Sequence, residues 1–571
     1  MKNALIVVLT ALCLQAHAQQ FPELKYPQHY FQNPLPVPMV LAGGFGELRP
    51  GHFHSGLDIK TDGHIGMPVH AAQEGYISRV SVSSTGFGNA IYITHPNGYT
   101  TLYGHLSRFN PALAAYVEKE EYARKSWAID LTLPEHLFPV KKGQFIAWSG
   151  DTGNSGGPHV HFEIRNTRTQ DPLNEFLFGF PIKDHTAPKL YRLAVYDRGR
   201  SIYEQAPHIY TLKHVGPNRY AVSPHVLAIA ADSIGFGLQA LDFQDNTHNN
   251  FGIYEELVYK DGVLQNGFRL NDIGYNVTRY VDAHEDYKTF RDHGIKFELL
   301  FSLPGNHLPI YYNFHGNGTI DLQDGKPHTI RIEARDPNGN TSVVVFSVQR
   351  RQEGAAHPVV ECSNRMIPNI RNILDRSEAS FYLKPDALYD TLCLDYGIRA
   401  LESPVRYSDW VQIGNPDIPL YSSYELHLKL HRPVPNNWIS KAVIVRDGLK
   451  GKFRQAVPAR ITGGWAAAPF EKFGLFSVQI DTVAPVLVPL GFRNGQHETG
   501  ARRLAFKAED ALSGLASFNA YLDNSWLMFA RVHNTFYYLF DRHCRPGMHT
   551  LKVIATDEVG NTTTHIYHFK R

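Results

Sequence analysis

Across 571 residues, 43% are hydrophobic and 19% charged, and 56 Lys and Arg stand against 54 Asp and Glu, for a formal charge of +2. A chain this long exceeds a single hydrophobic core, so about three or four domains are expected. The balanced charge excludes the basic field that nucleic acid requires, and no nucleic-acid partner is expected.

The N-terminus reads as an export signal over residues 1–18. Lys2 supplies the positive start, Ala4 to Leu14 an apolar run, and Ala16-His17-Ala18 a small-x-small cleavage site. That run is too short to span a bilayer and is followed at once by Gln19, Gln20, Glu23 and Lys25. Leu12 stands before Cys13 where a lipidation signal wants a small residue, so cleavage is expected rather than a lipid anchor. No later stretch is long and apolar enough to cross a membrane, and the mature chain is expected to lack a transmembrane segment.

Residues 19–183 form the first expected domain. Short alternating runs are cut by glycines: Gly75-Tyr-Ile-Ser-Arg-Val-Ser-Val82, Asn89-Ala-Ile-Tyr-Ile-Thr94 and Tyr99-Thr-Thr-Leu-Tyr103. The last two flank Pro96-Asn97-Gly98, a hairpin turn signal. One segment departs from the β pattern. From Pro111 to about Trp127 it is rich in helix formers, and it predicts a short helix inside an insertion over about 110–139.

Beyond Pro181 the texture is again β, with a repeat. Asp184-His-Thr-Ala-Pro-Lys-Leu190 resembles Asp481-Thr-Val-Ala-Pro-Val-Leu487, and Asp336-Pro-Asn-Gly-Asn340 resembles Asp557-Glu-Val-Gly-Asn561. These marks predict Ig-like β-sandwiches over 184–351 and 481–571, with a sandwich-like module over 357–480 between them. The whole is expected to be mainly β: a small antiparallel-β domain with a short helical insertion, followed by about three β-sandwich domains. Of the cysteines beyond the signal, Cys362, Cys393 and Cys544, at most one pair can join, and Cys362 with Cys393 is the expected one.

Three segments carry chemistry: His54-Ser-Gly-Leu-Asp58, Leu102-Tyr-Gly-His-Leu106, and Gly153-Asn-Ser-Gly-Gly-Pro-His-Val-His-Phe-Glu163. His159 and His161 alternate on a strand, so both imidazoles face the same space. Histidine with aspartate suits zinc, which takes nitrogen and oxygen ligands at about 2.0–2.2 Å and, when catalytic, keeps one position for water. The residues alone leave open which of His159 and His161 binds metal.

From about Gly44 to Leu173 the sequence resembles the lysostaphin-type, or LytM, zinc metalloendopeptidases of bacterial cell walls. The resemblance rests on Gly44-Phe-Gly46, Arg49, His54 to Asp58, Gly66-Met-Pro-Val69, Tyr103 to Leu106, Thr152-Gly153 through Glu163, and Asp171-Pro172. It implies a Zn²⁺ cofactor held by His54, Asp58 and His161, with His105 and His159 as non-ligand catalytic histidines. It further implies hydrolysis of peptide bonds in peptidoglycan cross-links or stem peptides. Two alternatives share this fold: a non-catalytic LytM-like regulator of another wall hydrolase, and an exported peptidase acting on glycine-rich proteins. The long C-terminal half is similar to envelope proteins of Bacteroidota-type Gram-negative bacteria, which implies a periplasmic or envelope location and an envelope protein partner for the β domains. The 110–139 insertion, lying between two site segments, is expected to wall or cover the cleft.

Overall fold

Gly98 adopts φ 84°, a left-handed backbone that glycine tolerates without a Cβ clash, and the Pro96-Asn97-Gly98 turn closes its hairpin as expected. The structure, a computed structural model, describes residues 24–245, 247–312, 315–351, 361–400, 405–448, 454–498 and 500–571; the expected signal over 1–18, with Cys13, lies outside them. In the first domain β1 (Leu41–Gly43), β2 (Leu57–Lys60), β3 (Gly75–Val82), β4 (Asn89–Thr94), β5 (Tyr99–Leu106), helix α1 (Pro111–Arg124), β6 (Ile129–Thr132) and β7 (His159–Asn166) follow in chain order. The strands form an antiparallel sheet in the order β1-β2-β7-β5-β4-β3-β6.

Central β7 alternates: Val160, Phe162 and Ile164 are buried in the domain's core, which leaves His159, His161 and Glu163 to the opposite face. Burial of the three apolar side chains stabilises the strand by about 1.5–3 kcal/mol each and fixes its register.

Helix α1 begins where Asn110 accepts a hydrogen bond from Leu113 N at 3.1 Å, with Pro111 in the first turn where no N–H is needed. Its inner side places Leu113 and Val117 in the core, and β6 extends the sheet beside β3. The expectation that the insertion walls the cleft is not met. No residue of 110–139 lines it. The outer side of the helix meets the last domain instead: Tyr122 stacks on His543 with ring centroids 4.1 Å apart, and Glu118 pairs with Arg542 at 2.9 Å.

The C-terminal half is a series of two-sheet β modules, as the sequence predicts. The module after the first domain carries β8 (Lys189–Asp197) and β9 (Ser233–Phe243) in one sheet and the hairpin β10 (His328–Arg335) and β11 (Thr341–Arg350) in the other. The next module has two five-stranded sheets, and Cys362 is joined to Cys393. The last repeats the earlier plan with β12 (Val486–Pro489) and β13 (Arg503–Glu509) in one sheet and the hairpin β14 (Met548–Asp557) and β15 (Thr562–Lys570) in the other. Cys544 is buried and free.

The hydrophobic core that follows residue 184 also takes in Phe45, 4% exposed, and Phe53, 2% exposed, both from the first domain. Phe53 N donates to Thr278 Oγ1 at 2.8 Å, and Lys296 Nζ to Leu48 O at 2.5 Å. The hairpin Leu48–Arg49 with His52–Phe53 is thus set into the second module immediately before His54. Downstream, Tyr389 of the third module enters the same second core, while Val443 and Val445 of the third meet Val559 of the fourth. Among the described residues, no helix is long and apolar enough to cross a membrane.

Candidate metal centre

Asp58 on β2 and His161 on β7 are direct cross-strand partners, and His54 lies in the loop that leads into β2. Their tips form a tight triangle. His54 Nε2 lies 3.1 Å from Asp58 Oδ1 and 3.1 Å from His161 Nδ1, and His161 Nδ1 lies 3.0 Å from Asp58 Oδ1. Ligands of a tetrahedral zinc, at about 2.0–2.1 Å from it, stand about 3.3 Å apart.

The tautomers are set from outside the triangle. His54 Nδ1 donates to Gly44 O at 2.7 Å and His161 Nε2 to Glu163 Oε1 at 2.9 Å, so the remaining lone pair of each ring turns inward. Two inward lone pairs and a carboxylate oxygen make a donor set that fits zinc. Without a cation, burial would lower the affinity of His161 for its proton, yet its bonds to Asp58 and Glu163 push it up to about 9. The same surroundings leave Asp58 well below the usual carboxylate range: burial opposes its ionisation, and His54, His159 and His161 more than offset it. These carboxylates favour positive charge at the centre.

Gly56 is required for this closeness. A Cβ there would lie 2.4 Å from Phe162 O and 3.0 Å from His161 Nε2.

His105 and His159 flank the triangle, with ring centroids 4.7 Å apart. His159 Nε2 stands 3.3 Å from Asp58 Oδ1, and its Nδ1 donates to Gly157 O at 2.8 Å. His105 lies within an irregularity in the β4–β5 pairing and takes φ 58°, rare for a side-chain-bearing residue. Strain of this kind persists where neighbours hold it: His105 Nδ1 donates to Thr152 O at 2.7 Å. Burial, with His161 and His159 alongside, lowers its pKa to about 4, so the His105 ring is neutral near pH 7. All five predicted site residues line one open cleft of about 840 Å³.

Three neighbours, Arg49, Glu163 and Tyr275, escaped the sequence reading of roles. Arg49 Nη2 donates to Asp58 Oδ2 at 3.1 Å and to Glu47 Oε2 at 3.0 Å, holding the carboxylate's outer oxygen. Glu163, 0% exposed at its side chain, accepts from His161 Nε2, Ser55 Oγ at 2.7 Å, Tyr275 OH at 2.6 Å and Arg165 Nε at 2.6 Å. Strand alternation from His159 to Glu163 could have found the glutamate. Tyr275 left no local signal, because it comes from the second module, 220 residues from Ser55. Its hydroxyl accepts from Arg165 Nη2 at 2.9 Å, and its ring forms part of the cleft wall.

Partners that orient a metal-binding histidine typically change metal affinity about 10–100-fold. Tyr275→Phe keeps the ring over Arg165 and removes only the hydroxyl. It is expected to weaken zinc about tenfold, measured by competition with a chromophoric chelator. An unchanged affinity would show that Glu163 is held well enough without it.

Residues 52–123 match Peptidase family M23. The first domain is an M23 peptidase domain. Over 128 residues the chain is 33% identical to the DD-carboxypeptidase/endopeptidase Mpg of Neisseria meningitidis, across 22% of this chain and 24% of that protein. It is 31% identical to lysostaphin of Staphylococcus staphylolyticus, across 24% of this chain and 23% of that protein. Among solved structures, a zinc-containing peptidase from Vibrio cholerae is 26% identical, covering 26% of this chain and 39% of that one, with a TM-score of 0.19. The chain thus spans about a quarter of the length of the curated relatives it matches. Beyond the M23 domain, residues 363–481 match a Zu5-like domain.

Proposed function

We propose that the chain is an exported zinc metalloendopeptidase that hydrolyses peptide bonds in peptidoglycan cross-links or stem peptides. The observation that carries this reading is the convergence of the His54 and His161 lone pairs with Asp58 Oδ1 in an open cleft, with two further histidines beside them. Relatives of the M23 domain bear the names of a DD-carboxypeptidase/endopeptidase and of lysostaphin, which supports a wall peptide as substrate.

His54, Asp58 and His161 hold the metal. Zinc bound there supplies a Lewis acid that brings the pKa of a water toward about 7 and polarises a peptide carbonyl. His105 or His159 takes the proton of the attacking water on its free Nε2 and passes it to the departing amine, or, once protonated there, donates that Nε2–H to the developing oxyanion. Arg49 holds Asp58 in place, and Glu163 holds His161. Export belongs to the same proposal, with a periplasmic or envelope location in a Gram-negative bacterium and an envelope protein docked on the C-terminal β domains.

The test is to incubate the chain from Gln19 onward with zinc and insoluble sacculi, follow new free amines, and identify the products by mass. Release of amines from sacculi is expected. Cleavage of a glycine-rich protein with sacculi left intact would replace the substrate. No cleavage, with activation of a second wall hydrolase, would replace the enzyme with a regulator.

A further inference from the structure

The second and the last module each gather three carboxylates at the same place. In one, Asp184 leads into β8, Asp242 lies near the end of β9, and Asp336 opens the turn between β10 and β11. In the other, Asp481 precedes β12, Asp510 follows β13, and Asp557 ends β14 before the turn to β15. In each set one oxygen from every residue lies within 4.8 Å of the others.

The equivalence extends to the residues around them. Asn340 Nδ2 donates to Asp184 O at 3.3 Å and to Asp336 Oδ2 at 2.6 Å, while Asn561 Nδ2 donates to Asp481 O at 2.9 Å and to Asp557 Oδ2 at 2.7 Å. Ser342 Oγ and Thr563 Oγ1 donate in the same way to the carbonyls of Pro188 and Pro485, each at 2.6 Å. The Asp-x-x-Ala-Pro and Asp-x-x-Gly-Asn marks of the sequence are two parts of one construction. The third part, Asp242 or Asp510, has no counterpart in those marks.

Turn formation accounts for many of the carboxylate oxygens. Asp336 Oδ1 accepts from Asn338 N and Asn340 N, Asp557 Oδ1 from Val559 N and Asn561 N, and Asp481 Oδ2 from Ser513 N. It engages Asp510 Oδ2, which accepts from Leu512 N at 3.0 Å and Gly514 N at 2.9 Å, and leaves the other oxygen of the third residue over. Asp242 is 3% exposed, and its Oδ1 is buried with no hydrogen-bond partner; Asp510 Oδ1 is buried and unpartnered at the equivalent place. A buried carboxylate oxygen without a donor is costly, and the same atom is left without one in both repeats. Burial and the neighbouring carboxylates push Asp242 up to about 9 and Asp184 up to about 6. A cation among them reverses that penalty.

We propose that Asp184, Asp242 and Asp336, and likewise Asp481, Asp510 and Asp557, form two equivalent calcium sites that clamp the leading linker of each module to its body. The donors are all oxygen, with no nitrogen or sulfur, which selects a hard cation over zinc. Calcium accepts irregular coordination from carboxylates and carbonyls, whereas magnesium demands a near-ideal octahedron and keeps its waters.

The test uses the full mature chain, stripped with EDTA, reloaded with zinc and dialysed against about 1 mM CaCl₂, the range of extracellular calcium modules. Atomic emission is expected to find two calcium ions per chain, one in Asp242→Asn or in Asp510→Asn, and none in the double variant. Calcium should raise the Tm of the parent chain by several degrees and leave that of the double variant unmoved, with a smaller shift from magnesium. In calcium-free buffer Asp242→Asn should be at least as stable as the parent, because an unpartnered buried carboxyl that its surroundings hold neutral is exchanged for an amide of the same shape. A merely structural aspartate gives the opposite. If Asp242→Asn does not fold, Asp184→Asn reads the same site. No bound calcium in the parent, an unchanged count in the double variant, or an equal response to magnesium would overturn the proposal.

Discussion

His161→Ala and Asp58→Ala chains are expected to purify without zinc in the M23 site and to lose turnover by roughly 10³-fold or more, while His159→Ala keeps its zinc and loses about 10²–10⁴-fold. The contrast follows from the triangle. His161 Nδ1 stands 3.1 Å from His54 Nε2 and 3.0 Å from Asp58 Oδ1, and its other nitrogen is bonded to Glu163, so removing the ring deletes a vertex and leaves Glu163 short of a donor. His159 approaches Asp58 Oδ1 at 3.3 Å, but its ring is held from the loop side by Gly157 O and it makes no bond to His54. Its removal should open the cleft rather than dismantle the centre. Zinc per chain by atomic emission, with turnover on the same preparation, separates the two. A zinc-free His159→Ala protein alongside a zinc-bound His161→Ala protein would reverse the assignment of ligand and proton carrier.

Phe53→Ala is expected to cost about 3–5 kcal/mol, comparable to other buried phenylalanine truncations, although the residue lies in the M23 domain and the lost packing lies in the next module. The ring is 2% exposed within the second module's core, 5.5 Å from the His284 ring. Its backbone N–H is bonded to Thr278 and the residue after it is His54, so the cavity opens directly beneath a metal ligand. Two readouts should move together: the urea midpoint of the second module and the zinc dissociation constant. Loss of stability with unchanged zinc affinity would mean that the Gly44 carbonyl alone suffices to position His54. The same packing leads to the expectation that residues 24–183, expressed alone, expose Phe45 and Phe53 and aggregate.

The reach of the sequence follows from how local each feature is. His54, Asp58, His105, His159 and His161 were legible because each stands in a short motif, and the family resemblance that those motifs carry implied the division into ligands and non-ligands; the fold brings the segments together around adjacent strands. Glu163 obeys the same alternation, so its place beside His161 was implicit. Tyr275, Phe45 and Phe53 were not legible, because packing between modules leaves no period in the chain and a buried phenylalanine reads alike whichever core receives it. The insertion was misplaced for a related reason. Its position between two site segments says where its ends attach, whereas Tyr122 and Glu118 determine which surface its helix meets.

The contact between that helix and the last module has a topological consequence. First touches second through Phe53 and Thr278, second touches third through Tyr389, third touches fourth through Val445 and Val559, and fourth returns to first through Arg542 and Glu118. The four bodies make a closed circuit, so each pairing operates at the high effective concentration of tethered partners, and an exposed ion pair too weak to join free molecules still persists. A protease that severs one connection leaves both fragments joined through the contacts that remain. A nick is therefore survived by the architecture, whereas shedding the catalytic part takes two separations at once.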